Sequence, residues 1–236
     1  RTGGNDPLFA SAGALCYSFS GAVLFTFMRH PNFISWAWCF PLMLAGFESY
    51  WRQGKKALLL LAICLNAVIN YYTFYMNAVL LALCACLRAL SETGGAWARF
   101  KKLLCTAGVC IMGVALSMAV LLPTLYAFSI NTRIQIVSGY NESLWHFPLA
   151  YYLRIPASTF TTLFAPGVYA YTGDTGAAAI VIALMPVFLI KKGTPLYNKL
   201  VCLVFLIMLC VPLAGRVLNG FGYVTERWVY ALVCMM

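Results

Sequence analysis

The chain has 236 residues, of which 63% are hydrophobic and 9% are charged, and its mean hydropathy is +0.84. Soluble domains carry about 25% charged residues, so this composition excludes a soluble globular fold. The net charge of +10 would favour nucleic-acid binding in a soluble protein. Here the basic residues stand at the ends of apolar segments, which indicates a role in membrane topology and no nucleic-acid partner.

The apolar segments predict an all-α, polytopic transmembrane helical bundle that forms a single domain over residues 1–236. Several segments are shorter than the roughly 20 residues that a membrane-spanning helix needs, so we expect tilted, broken or re-entrant helices. Because the chain begins beside an apolar segment and ends inside one, we expect a fragment of a longer protein. In chain order the segments are 7–28, 33–50, 57–87, 103–128, 177–190, 200–214 and 228–236.

The third segment, Ala57 to Leu87, is an uncharged run of 31 residues between two basic clusters. One membrane crossing needs roughly 20 apolar residues and two need roughly 40 plus a turn, so the length fits neither. Basic flanks favour the cytoplasmic side at both ends of the run. We therefore predict a helical hairpin that enters the bilayer, turns near Asn70-Tyr71-Tyr72 and returns.

The distribution of Lys and Arg favours this topology. With the hairpin, 11 of the 16 basic residues lie inside and five lie outside, whereas a single crossing would place eight on each side. The positive-inside rule selects the first arrangement. The outside then holds residues 29–32, 129–176 and 216–227. The loop 129–176 is too long to lack structure, and its aromatic, amphipathic stretch 143–154 predicts interfacial helices.

Polar side chains near the tip of the predicted hairpin have two interpretations. They hydrogen-bond neighbouring helices, or Asn70, Tyr71 and Tyr75 line a cavity. The other polar members of the group are Asn66, Thr73 and Asn77.

Charged residues differ between the two sides of the predicted bundle. Glu48 stands four residues before Arg52, so an ion pair along one helix is the favoured interpretation. On the outside, five arginines accompany three acidic residues. An isolated arginine there is most often an interfacial anchor. As a group, the arginines would suit an anionic phosphate, because guanidinium binds phosphate through two parallel hydrogen bonds and stays charged.

Five motifs follow one another along nearly the whole chain. They are Leu15-Cys-Tyr-Ser-Phe-Ser-Gly21, His30-Pro-Asn-Phe33, Phe40-Pro-Leu-Met-Leu-Ala-Gly-Phe-Glu48, Asn70-Tyr-Tyr-Thr-Phe-Tyr-Met76 and Asn219-Gly-Phe-Gly-Tyr-Val-Thr-Glu-Arg-Trp228. In this order they resemble the bacterial YfhO-family membrane proteins, and no single motif carries the resemblance.

The resemblance implies a GT-C-type glycosyltransferase of the bacterial cytoplasmic membrane. Such an enzyme takes a sugar from a polyprenyl-phosphate donor in the bilayer and transfers it, outside the membrane, to an envelope polymer such as lipoteichoic acid. GT-C enzymes usually carry their catalytic acid in the first external loop, which would precede Arg1. The catalytic residue of this chain is therefore unknown.

The same resemblance suggests where substrate would bind. Arg133 and Arg227 are the residues expected to hold the lipid phosphate, with His30 and Asn219 near the phosphate or the sugar, and Asn70 and Tyr71 in a cavity. Asp174 and Glu226 would contact sugar or a divalent metal, although solvated loop acids are the favoured interpretation. No cofactor is otherwise implied.

Two other classes of function stay open. A transporter or flippase for a lipid-linked or envelope precursor would also use broken helices and polar residues within the membrane. A noncatalytic scaffold for envelope assembly is the third class. Against transport, the sequence has no clear internal repeat and no charged residue in the middle of a predicted membrane segment.

Overall fold

The computed structural model describes residues 7–24, 34–130, 145–146, 149–153, 179–221 and 224–235. These residues form helices and no β-strand, as the sequence predicts. The helices are α1 Pro7–Ser18, α2 Ser35–Gln53, α3 Ala57–Ile69, α4 Tyr71–Ser91, α5 Ala96–Ser129, α6 Ala179–Ile190, α7 Leu196–Leu209, α8 Pro212–Leu218 and α9 Val229–Met235. Helical turns also occur at 21–24 and within 149–153.

Membrane-spanning length is restricted to a few of these helices. Within the described residues, Tyr71–Ser91 and Ala96–Ala127 are each long and apolar enough to cross a bilayer. Helices α7 and α8 would add a third span if they act together, although the chain bends by 101° between them. Helix α3, with 13 residues, is apolar but short. The all-helical class is thus confirmed for the described residues, while the full polytopic bundle of GT-C type stays a prediction.

The chain divides into two compact units, which we name the core unit and the terminal unit. The core unit comprises Ser35–Asn141 and Arg216–Tyr223. The terminal unit comprises Arg1–Ile34, Glu142–Gly215 and Val224–Met236.

Helices α2 to α5 share one hydrophobic core in the core unit. The segment predicted as a hairpin, residues 57–87, contains helix α3 and most of helix α4, which are separated at Asn70. The start of α3 and the end of α4 meet in the core, because Leu59 and Ala89 belong to the same buried cluster. Other members of this cluster are Met43, Phe47, Trp51, Ala62, Ile63, Leu81, Ala85 and Val109.

Ion pairs gather at the same end of the core unit. The Glu48 carboxylate lies 2.6 Å from Arg52 and 3.4 Å from Arg88, so the predicted pair along α2 is confirmed and a second helix joins it. Lys102 lies 2.7 Å from Glu92, and its ammonium sits 4.7 Å from the ring centre of Trp51. Acids that would be costly near a membrane are thereby paired with basic residues.

Helix α5 presents most of its apolar surface to the outside of the core unit. Only 22% of its most apolar stretch of 18 residues is buried. Its exposed side chains include Ile111, Met112, Leu116 and Leu122. A long exposed apolar surface on one helix is the pattern expected of a face that contacts lipid.

The terminal unit packs its own core around α7 and α9. Phe205 of α7 meets Trp228 edge to face, with ring centres 6.2 Å apart. Both side chains are fully buried, and so is Leu232 of α9. The next helix along the chain from α7 bends away sharply, because Pro212 begins α8 after a break at Cys210 and Val211.

We expect Gly46→Ala to destabilise the protein, because α2 and α3 touch at this glycine. A Cβ atom at position 46 would lie 2.7 Å from the Cα atom of Leu59, a backbone atom that cannot move alone. Overpacking of this kind costs about 1–3 kcal/mol. Gly108→Ala on α5 is the control, since nothing lies within 4 Å of its added methyl group. Thermal unfolding in detergent measures both variants, and equal stabilities would contradict the close approach.

We expect residues 53 and 93 to lie on the same side of the membrane. The Glu48–Arg88 and Lys102–Trp51 contacts hold the ends of α2 and α4 and the start of α5 together. Gln53→Cys and Thr93→Cys place thiols at exposed positions beside Gly54 and Gly94, whose positive φ angles disfavour substitution. Labelling from each side in a cysteine-free background is the measurement. Labelling from opposite sides would exclude the hairpin.

Candidate functional site

Asn70 ends one helix and begins the next. Its extended backbone, with φ −159° and ψ 111°, interrupts the helical path between α3 and α4. Its N–H donates to the Asn66 carbonyl at 3.2 Å, which closes α3. Its Oδ1 accepts from the N–H groups of Tyr72 at 3.0 Å and Thr73 at 3.3 Å, which caps α4. Asparagine suits this position because its short amide can satisfy the first free N–H groups of a helix.

The polar side chains around this break are buried and bonded to one another. Thr73 donates to the Asn70 carbonyl at 3.0 Å and lies 3.4 Å from Asn66 Oδ1. The Asn66 amide donates to the Met43 sulfur at 2.9 Å, which ties α3 to α2. For Asn66 and Thr73 these contacts support the interpretation of helix-to-helix hydrogen bonding rather than that of a cavity lining.

Asn219 joins the helix break through Tyr72. The Tyr72 hydroxyl donates to Asn219 Oδ1 at 2.8 Å, across 147 positions of sequence. The Tyr75 hydroxyl donates to the Val217 carbonyl at 2.9 Å, so a second tyrosine on the same helix holds the same turn. We name this group the helix-break site: Asn70, Tyr72, Tyr75, Val217 and Asn219. Both asparagines bond to Tyr72, one through its backbone and one through its hydroxyl.

The turn that carries Asn219 has an unusual backbone. Gly220 and Phe221 both have φ angles of 63°. For Phe221, which is not a glycine, this backbone conformation is energetically unfavourable. Hydrogen bonds hold the turn, since the Phe221 N–H donates to the Arg216 carbonyl at 2.8 Å and the Gly220 N–H to the Val217 carbonyl at 3.2 Å. Phe221 is 72% exposed. A strained residue held open to its surroundings is typical of functional turns.

A second polar group, in the terminal unit, surrounds Glu226. Tyr151 donates to Glu226 Oε1, and its hydroxyl also lies 3.0 Å from the Leu209 carbonyl. The adjacent Tyr152 donates to the Cys210 carbonyl at 3.0 Å. We name this group the Glu226 cluster: Glu226, Tyr151, Tyr152 and the carbonyls of Leu209 and Cys210. Its tyrosines satisfy the two carbonyls at the break between α7 and α8.

The interpretation of Glu226 as a solvated loop acid is wrong, since the residue is only 8% exposed. Burial first and the adjacent Glu226 second raise the pKa of Tyr151 above its usual range. Tyr151 therefore keeps its proton and acts as a donor at any physiological pH. Burial of a carboxyl group needs such a partner, because an unbonded buried charge is costly.

Arg227 stands beside this cluster in sequence. It is half-buried and precedes the fully buried Trp228. His30, Arg133 and Asp174 lie outside the described residues, so the expected approach of Arg133 to Arg227 stays a prediction. Among the described residues, no three His, Cys, Asp or Glu side chains are placed to hold a metal ion.

Of the six predicted binding residues, four are described. Asn70 and Tyr71 lie at the helix break, and Asn219 accepts a hydrogen bond from the next residue, Tyr72. Arg227 belongs to the terminal unit. Tyr71 is half-buried in the first turn of α4. The sequence analysis did not identify two residues of these polar groups, Tyr72 and Tyr151. Tyr72 stood within the motif that begins at Asn70, and Tyr151 stood in the aromatic stretch 143–154, but neither sequence signal names a partner.

These features define an all-helical membrane protein with broken helices and buried polar groups at the breaks. The family model described as bacterial membrane protein YfhO matches residues 5–236, and the chain belongs to that family. No curated protein and no solved structure matches the chain.

We expect Asn70→Ala to lower stability by about 1 kcal/mol, the usual cost of losing a helix cap. Asn70→Ser keeps a side-chain oxygen that can accept from the same N–H groups and adds no charge, so its stability should stay near that of the natural protein. Denaturant or thermal unfolding in detergent compares the two. If Asn70→Ser is as unstable as Asn70→Ala, the capping oxygen is not what holds the helix break.

Proposed function

We propose that the chain is part of a membrane glycosyltransferase that moves a sugar from a polyprenyl-phosphate donor to an extracytoplasmic envelope polymer such as lipoteichoic acid. Membership of the YfhO family gives the setting, a bacterial membrane. The single observation that carries the proposal is the bond from Tyr72 to Asn219, which fixes an amide beside a broken membrane helix.

The geometry suits a substrate that is part lipid and part sugar. With Asn219 Oδ1 accepting from Tyr72, the amide nitrogen of Asn219 has a fixed direction in which to donate. An oriented amide is a group that binds sugar hydroxyls or phosphate oxygens. The exposed apolar face of α5 in the same unit would contact lipid tails, as a polyprenyl donor requires.

The proposed chemistry is an inverting transfer. The acceptor hydroxyl attacks the sugar carbon that carries the phosphate, a carboxylate removes the hydroxyl proton, and the lipid phosphate departs with the bonding electrons. Cationic groups would stabilise the departing phosphate, and Arg133 and Arg227 are our assignments for that role. His30 is assigned to the phosphate or sugar, and Tyr71 to the cavity. No residue of this chain is assigned as the catalytic base.

A transporter or flippase of lipid-linked precursors is the second candidate. The observation that favours it is the pair of broken helices, since discontinuous helices form the substrate sites of many transporters. One assay separates the two functions. The full-length protein in liposomes is given a polyprenyl-phosphate sugar carrying a labelled sugar, together with an envelope-polymer acceptor.

Label covalently attached to the acceptor supports the transferase. Movement of intact donor between leaflets without attachment supports the flippase. If the protein is shown to be folded and neither event is observed, both candidates are contradicted and the scaffold is favoured.

We expect Arg227→Lys to lose at least about 90% of transfer activity, corresponding to about 1.4 kcal/mol of lost transition-state binding. The reason is shape, because an ammonium cannot reproduce the two parallel hydrogen bonds of guanidinium to phosphate. The measurement is the transfer rate at saturating acceptor with donor concentration varied, at matched expression. Arg52→Lys is the control, since that residue is 44% exposed and pairs with Glu48. Near-normal activity of Arg227→Lys would make Arg227 an interfacial anchor.

A further inference from the structure

Basic side chains gather where four helices of the core unit begin or end. The Glu48–Arg88 and Lys102–Trp51 contacts hold the ends of α2 and α4 and the start of α5 together, and α3 begins directly after Lys56. From Glu48 to Lys102 the sequence has seven basic residues and two acidic ones. We name the basic members of this group the basic end: Arg52, Lys55, Lys56, Arg88, Arg99, Lys101 and Lys102.

The two acids of this region do not neutralise the basic end. Glu48 is shared by Arg52 and Arg88, and Glu92 is paired with Lys102. Within the part of the chain that the structure describes, the other members have no acidic partner. They are Lys55, Lys56 and Lys101, all exposed, and the half-buried Arg99. Positive charge is therefore left over at this end of the core unit.

Two buried N–H groups of this region also lack an acceptor. The Trp51 side chain is only 4% exposed, and its Nε1 has no hydrogen-bond partner among the described residues. The same holds for Nε of Arg99, which stands one turn before Lys102 on α5. The Lys102 ammonium sits 4.7 Å from the ring centre of Trp51. Buried donors without an acceptor are destabilising, and the oxygens of an anion accept from indole, guanidinium and ammonium alike.

Aromatic and apolar side chains continue from the basic end along one face of α5. Trp97 and Phe100 are exposed, with ring centres 5.8 Å apart, and Leu104 and Ile111 are exposed beyond them. Their spacings of three, four and seven residues place them on one face of the helix, and Lys101 lies four residues after Trp97 on the same face. Tryptophan is typical of the headgroup level of a membrane. Cation, aromatic ring and apolar side chain thus follow in the order of a phospholipid's phosphate, interface and acyl chain.

We propose that the basic end binds the phosphate of an anionic phospholipid in the leaflet that it faces. Lys55, Lys56, Lys101 and Arg99 supply positive charge, Trp51 supplies a buried donor, and the acyl chains lie along the exposed face of α5. Membrane topology alone accounts for basic residues at segment ends. It does not require buried donors without acceptors, whereas an anionic headgroup gives them oxygens to bond.

A membrane lipid fits this surface better than a soluble anion does. A soluble anion would use the charges and the donors but would leave the aromatic pair and the apolar face of α5 without a role. A lipid uses all three, and the family places the chain in a bacterial membrane. Each Lys or Arg near an anionic membrane surface strengthens binding about fivefold, so a cluster of several is effective.

The inference goes beyond the proposed sugar transfer. Helix α3 has 13 residues and is about 20 Å long, with Lys56 at its start and Asn70 of the helix-break site at its end. The basic end and the helix-break site therefore stand at opposite ends of this helix. Lipid binding at the basic end holds whether the chain transfers sugar, transports a precursor or does neither.

Native mass spectrometry of the full chain in detergent tests the proposal. Phosphatidylglycerol is the anionic probe, and phosphatidylcholine is the zwitterionic one. We expect tighter binding of phosphatidylglycerol. The double variant Lys55→Gln, Lys56→Gln should weaken that binding at least about tenfold, because two charges are removed at about fivefold each. Equal affinities of the natural protein for the two lipids, or an unchanged affinity of the double variant for phosphatidylglycerol, would overturn the proposal.

The double variant Lys191→Gln, Lys192→Gln is the matched control, since it removes an adjacent, exposed pair of lysines from the terminal unit. Its affinity for phosphatidylglycerol should stay that of the natural protein. Equal losses in both double variants would overturn the site, because general attraction by net charge would then explain them. Thermal unfolding in lipid-free detergent verifies that both variants are folded, and Lys101→Gln, on another helix, should weaken binding about fivefold.

Inorganic phosphate separates a lipid site from a site for a soluble anion. Added in excess at constant ionic strength, it should not displace phosphatidylglycerol, because it has no acyl chains to lie along α5. Displacement would overturn the lipid and indicate a soluble anion. Detergent micelles have no sides, so a change of membrane topology in a variant does not influence the measurement. No sugar donor or acceptor is present, so failure of the proposed sugar transfer leaves this result unaffected.

Discussion

The capping of α4 by Asn70 is the interaction on which the core unit depends. Inside a membrane, free backbone N–H and C=O groups cost several kcal/mol each, about the cost of an unmade hydrogen bond in hydrocarbon. A chain can turn within an apolar run only where side chains replace the missing helical bonds. Asn70 does this on both sides of the break, and Leu59 of α3 and Ala89 of α4 belong to one buried cluster.

Tyrosine hydroxyls perform the comparable task in the terminal unit. Tyr151 and Tyr152 reach the carbonyls left at the end of α7, where the chain bends by 101°. In each unit a helix break is thus combined with polar side chains from a distant part of the sequence. A broken helix can present oriented polar groups, whereas a continuous apolar helix presents only apolar side chains.

Much of the fold follows from composition and charge, whereas the partners in each site do not. The uncharged run 57–87 predicted a turn near Asn70-Tyr71-Tyr72, and the helices separate at Asn70. The i,i+4 spacing predicted the Glu48–Arg52 pair, since the helix period alone brings those residues together. It could not predict that Arg88 would join them, because that contact depends on how α2 and α4 pack. Glu226 was misjudged for the same reason. Its loop position suggested solvent, while in the terminal unit it is only 8% exposed and is bonded by Tyr151.

The sequence by itself determined that this is an all-helical membrane protein, because apolar composition and basic segment ends act locally and need no knowledge of packing. It also supplied the motifs that mark the family. Only the tertiary structure decided that Tyr72 bonds Asn219 across 147 positions and that Tyr151 meets Glu226 across 75. The physical reason is that hydrogen bonds are short and directional, so a pairing between distant residues exists only once the helices that carry them have packed.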